Sequence, residues 1–98
     1  MSVKEILKSE KAHEIYKNSG IRYLGLFGSF AREDNTKDSD VDLLVDFKKT
    51  KTLLQEGGVI VQFQDLLNRD IDLVHLNFIK PNRKPYIMQD LVTIYEEK

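Results

Sequence analysis

Between Leu24 and Phe47 the chain reads LGLFGSFAREDNTKDSDVDLLVDF, and this stretch constrains the fold more than any other. Leu24, Leu26 and Phe27 form an apolar run that stops at Gly28, a residue without Cβ that allows a sharp turn and a close approach to the backbone. The spacing predicts a strand over 21–27, a tight Gly-Ser turn and a short helix ending near Asn35, with Ser29 as its N-cap. The amides freed at such a helix start attract phosphate. After the polar loop from Glu33 to Ser39, Asp40-Val41-Asp42-Leu43-Leu44-Val45-Asp46-Phe47 alternates, so strand geometry sends Asp40 and Asp42 to one face. Two neighbouring carboxylates repel unless a cation lies between them, and hard oxygen ligands used one or two at a time, together with substrate phosphates, suit Mg²⁺.

A third acid lies in Asp70-Ile71-Asp72-Leu73-Val74, another run of strand composition. If that strand lies beside the second, Asp72 completes a three-carboxylate cluster. His75 shares parity with Ile71 and Leu73, away from Asp72, and is no candidate ligand. Asp38-Ser39-Asp40-Val41-Asp42 could open a calcium loop, but Leu43 stands where such a loop needs Gly and Lys49 where it needs Glu.

The frame GSFAR, SDVDLLV, DIDLV, with Gly28, Ser29, Asp40, Asp42 and Asp72 in order, resembles the DNA-polymerase-β-like nucleotidyltransferases. It is most similar to their smallest members, the minimal nucleotidyltransferases of the MntA antitoxin type paired with HEPN proteins. The resemblance covers the chain from about Ile21 to its C-terminus. It implies a nucleotidyltransferase fold in which Asp40, Asp42 and Asp72 are the catalytic, metal-holding acids for two Mg²⁺ ions. Gly28 and Ser29 would grip the nucleotide phosphates. The implied reaction moves AMP from ATP to an acceptor hydroxyl, with a tyrosine of a HEPN toxin as the acceptor. The alternative is a non-catalytic nucleotide-binding antitoxin that only holds a HEPN protein.

The remaining chain is consistent with one small domain over residues 1–98, too short to carry a separate substrate-binding domain. Apolar residues from Val3 to Tyr16 at helical spacing predict an amphipathic helix broken near Ser9, capped by Ser2 and stopped by Gly20. His13 within it reads as a packing or solvated residue. Lys48, Lys49 and Lys51 read as a solvated loop. Leu53, Ile60, Phe63 and Leu67 follow helical spacing, but Gly57-Gly58 interrupts them, which predicts a turn followed by a helix. Pro85 suits the first turn of a helix through Asp90, after a cationic turn with Arg83 and Lys84, and 92–95 alternates as a last strand. Strands mixed with helices in this order imply an α/β, more closely an α+β two-layer, domain: a small mixed sheet with helices on one face and the acids on the other.

Fifteen Lys and Arg against 16 Asp and Glu lack the basic excess of a nucleic-acid binder. The chain has no Cys, which excludes disulfides and thiolate metal sites. With neither a signal-peptide pattern nor an apolar run near the ~20 residues of a membrane span, the expected location is cytoplasmic.

Overall fold

A computed structural model describes residues 1–97. Among them the elements run α1 (Val3–Leu7), α2 (Glu10–Asn18), β1 (Ile21–Phe27), α3 (Ser29–Arg32), β2 (Val41–Phe47), α4 (Leu53–Leu67), β3 (Ile71–His75), a 3-10 turn (Leu76–Phe78), α5 (Lys84–Asp90) and β4 (Val92–Glu96). The four strands form one mixed sheet ordered β3-β2-β1-β4, antiparallel except where β2 and β3 run parallel. This is the expected α+β arrangement.

Strand alternation divides the core in two. Leu24, Leu26, Val41, Leu43 and Val45 point to one face, where Leu7, Ala12, Tyr16, Val59, Phe63 and Leu67 of the helices close over them. The break near Ser9 is real: Ser2 caps α1 in a capping box with Glu5, and Ser9 caps α2. The buried Tyr16 hydroxyl donates to the Leu7 carbonyl at 2.6 Å, which satisfies the phenol and ties the two short helices together. The exposed His13 lies with its ring against Tyr16 and Tyr95.

On the opposite face, Phe27, Leu44 and Ile87 make a smaller cluster with Tyr23, Val74 and Leu91. Helices α1 to α4 gather on the first face, but α5 packs on this second one through Ile87. The acids therefore share their face with a helix. The physical reason is that Leu44 and Val74 alternate with Asp42 and Asp72, so this face carries apolar surface that must also be covered.

Three local expectations are corrected. Gly28, not Ser29, is the residue that caps α3: it sits at φ 74 and ψ −154, a backbone conformation open essentially to glycine, and Ser29 becomes the first helical residue with no side-chain cap bond. The same helix ends at Arg32 rather than near Asn35, because Glu33 turns left-handed at φ 66. Gly57-Gly58 is no turn either, since α4 runs unbroken through it. A capping box between Thr52 and Gln55 starts the helix, and Val59, Phe63 and Leu67 bury one stripe of it, which together offset the glycines.

A Cβ at Gly57 or Gly58 would meet nothing within 4 Å, and both lie on a helix face with the exposed Leu53, Leu54 and Val61. The double substitution Gly57→Ala/Gly58→Ala should therefore raise unfolding stability by about 1–2 kcal/mol in a urea titration, the sum of two helix-propensity gains. A loss of stability would show that the glycines are needed within the fold.

Candidate active site

Three strand ends meet at one edge of the sheet. Phe27 at the end of β1 pairs with Asp42 in β2, and Asp42 stands directly beside Asp72 in the parallel pair β2-β3. The third strand thus lies beside the second, as the sequence reading required. Asp40 lies just outside β2 and is exposed. Its loop is held by Arg69, whose guanidinium donates to the Lys37 carbonyl at 2.7 Å and rests over the Phe30 ring, while Val41 N–H donates to the Asp70 carbonyl at 2.9 Å to open the parallel ladder.

Gly28 is fitted to this corner in a second way besides its φ. A Cβ there would collide with the Asp42 carboxylate, so the glycine lets the turn before α3 come directly against the acid. A cleft of about 550 Å³ opens at this point, lined by Gly28, Ser29, Arg32 and Asp42 on the sheet side and by Arg83, Tyr86 and Gln89 from α5. A wider hollow of about 1090 Å³ lies between α1, the Glu33–Ser39 loop and the end of α4; Asp40 lines this hollow rather than the cleft, while Gly28, Ser29 and Asp42 do not line it. The smaller cleft is the one the chemistry points to.

Burial pushes the Asp42 carboxyl up to about 6, helped by the charges of Asp72 and Asp40, while Arg83 and Arg32 pull it back. Asp42 thus feels both other acids. Among the described residues no three His, Cys, Asp or Glu side chains stand close enough to hold a metal ion by themselves. The donors present are nonetheless the hard carboxylate oxygens that Mg²⁺ takes one or two at a time, with phosphates and water completing its shell.

The sequence profile described as Polymerase beta, Nucleotidyltransferase matches residues 10–98. The protein adenylyltransferase MntA of Thermococcus cleftensis is 32% identical over 92 residues, covering 94% of this chain and 92% of that protein. The chain belongs to the polymerase-beta nucleotidyltransferase family. Solved structures agree on the fold: a toxin–antitoxin complex with AMP-PNP aligns with a TM-score of 0.74 at 18% identity, covering 90% of this chain and 73% of that one. A tri-AMPylated HEPN toxin in complex with its MNT antitoxin, from Shewanella oneidensis, gives 0.69 at 15% identity over 97% of this chain and 74% of that one. The likeness to minimal nucleotidyltransferases noted from the sequence is borne out.

Within this nucleotidyltransferase, the sequence reading missed the contribution of α5 and Arg32 to the cleft. Arg83 was visible as part of a cationic turn, but nothing in the sequence said that the turn folds over the acid face, where Arg83 Nη2 lies 3.6 Å from Asp72 Oδ2. Arg32 is fixed by Asp34 at 3.0 Å and by Asp90 at 2.7 Å, which joins α3 to the end of α5. Asp46 lies at the other end of β2 with Arg22 and Asn77, away from the cleft. His75 pairs with Glu56 at 2.8 Å, consistent with its exclusion from the acid set.

A raised folded pKa means that Asp42 contributes its stability below the ordinary 3.8 and loses it as pH rises towards about 6. In chelator, Asp42→Asn should therefore be more stable than wild type at pH 7. A gain of about 1 kcal/mol is expected once solvent screening is allowed for, and it should shrink toward pH 4. Thermal unfolding at the two pH values checks this; equal differences at both would refute it.

Proposed function

We propose that this nucleotidyltransferase moves AMP from ATP to a protein hydroxyl, and that the acceptor is a tyrosine of a HEPN partner. The observation that carries the reading is the register of Asp42 against Asp72 beside a glycine that tolerates no Cβ. The name of the Thermococcus relative and the AMPylated toxin in the Shewanella complex support the acceptor class.

Asp40 and Asp42 would hold Mg²⁺ on the triphosphate, and Asp72 would share a second ion. The metal, when bound, neutralises the phosphate charge and makes the α-phosphorus more electrophilic. Gly28 offers its backbone to the terminal phosphates without a side chain in the way, and Ser29 adds a hydroxyl and an amide from the first turn of α3. Asp72, about half exposed at the open end of β3, is reachable by an incoming hydroxyl and accepts its proton. The acceptor oxygen forms a bond to the α-phosphorus. The bond from that phosphorus to the oxygen bridging to the β-phosphate breaks, and pyrophosphate leaves with the electron pair. The proton passes from Asp72 to solvent.

Asp42 faces both other acids, so Asp42→Asn should abolish transfer and weaken Mg²⁺-ATP binding. Asp72→Asn should leave ATP affinity within about threefold while lowering kcat by about 100-fold or more, the range for a lost general base. Calorimetry with ATP, with and without Mg²⁺, and transfer of labelled AMP to the partner separate the two. Wild-type transfer by Asp72→Asn would move the third carboxylate to Asp70, since Asp46 lies at the far end of β2. The AMPylated toxin of the Shewanella complex supports a separate protein as acceptor, so purification from the native host should return this protein with a HEPN protein bound. Recovery of free chain alone at every salt concentration would count against that partner.

A further inference from the structure

The wall of the cleft formed by α5 carries groups that the transfer chemistry just described leaves without a task. Tyr86 lines the cleft yet is 74% exposed, and among the described residues no hydrogen bond or ring–ring contact holds it. An aromatic ring left this free in a concave site is unusual, because burying it within the fold would have been favourable. Its neighbour Ile87 is only 2% exposed and packs with Phe27 and Leu44, so the helix is anchored independently of Tyr86.

The two arginines of the cleft differ in the same sense. Arg32 is held by two carboxylates at hydrogen-bond distance. Arg83 has one carboxylate neighbour, Asp72, at 3.6 Å, beyond hydrogen-bond reach, and about half of its side chain is open to solvent. Its charge also reaches Asp42. Arg83, the N-cap of α5, and Tyr86, in its first turn, are three residues apart, and both line the cleft opposite Gly28 and Ser29.

We propose that α5 is the nucleotide-reading wall of this site: Tyr86 stacks on the base, and Arg83 leaves its loose pairing with Asp72 to bind the phosphate chain. The assignment rests on the nucleotidyltransferase reading above and deepens it. A planar guanidinium makes charge-assisted bonds to phosphate oxygens that are stronger than a 3.6 Å contact with a carboxylate, so arrival of a triphosphate favours the exchange. The same exchange frees Asp72 of its counter-charge when a metal-loaded nucleotide enters. Stacking on one ring accepts any base but rewards the larger purine face.

Equilibrium titrations of wild type, Tyr86→Ala, Tyr86→Phe and Arg83→Gln with Mg²⁺-ATP, Mg²⁺-CTP and inorganic tripolyphosphate test this. Tyr86→Ala should weaken ATP about tenfold, reduce the preference for ATP over CTP, and leave tripolyphosphate unchanged. Tyr86→Phe should restore ATP affinity. Arg83→Gln should weaken ATP and tripolyphosphate alike by about tenfold. If wild type binds ATP while Tyr86→Ala and Arg83→Gln bind it equally well, α5 is not the reading wall and the nucleotidyltransferase reading stands. If wild type binds neither ATP nor tripolyphosphate, both readings fall.

Discussion

The site depends on the parallel pairing of β2 with β3, which sets Asp42 beside Asp72. Parallel strands cannot be joined by a tight turn, and the chain spends α4 on the crossover between them. That helix has to be long and continuous enough to span the sheet and bury Val59, Phe63 and Leu67 against it. Here packing overrides local propensity, since two adjacent glycines would otherwise favour a break. Burial of one helical stripe keeps α4 whole, and α4 in turn fixes the register that brings two carboxylates together.

Like charges in that register repel, and the fold balances the repulsion only in part. Arg83 and Arg32 face Asp42 from different elements and lower its pKa, yet burial and the other two acids outweigh them and leave it near 6. A site poised this way gains most from a ligand that brings positive charge to the acids and negative charge to the arginines. A metal-bound triphosphate carries both. The cleft is thus electrostatically incomplete in a manner that matches the family to which the chain belongs.

The sheet's two faces divide labour through the alternation of single strands. Leu43 and Val45 look into the main core while Asp42 and Leu44 look the other way, and Leu44 with Val74 draws α5 down onto the acid face. Without α5 the acids would lie on an open sheet. With it Asp42 lines a cleft whose second wall carries Arg83, Tyr86 and Gln89. The ion pair from Arg32 to Asp90 links that wall to the helix following Gly28, so the Gly28-Ser29 turn and α5 are positioned relative to each other.

Much of this was written in short-range pattern. An apolar run marked β1, strand composition marked β3 and period-two alternation marked β2, and parity gave Asp42 and Asp72 their faces, because side-chain direction in a strand follows from covalent geometry alone. Asp40 lies just outside β2, beyond the reach of that rule. Glycine at position 28 announced a turn, because few other residues tolerate the backbone it adopts. The identity of the capping residue, the continuity of α4 and the place of α5 were decided elsewhere. Each depends on what a segment packs against: Asp42 behind Gly28, the core beneath Val59 and Phe63, and the apolar Leu44 and Val74 beneath Ile87. Those partners lie far apart in sequence, and only folding brings their surfaces together to exclude water.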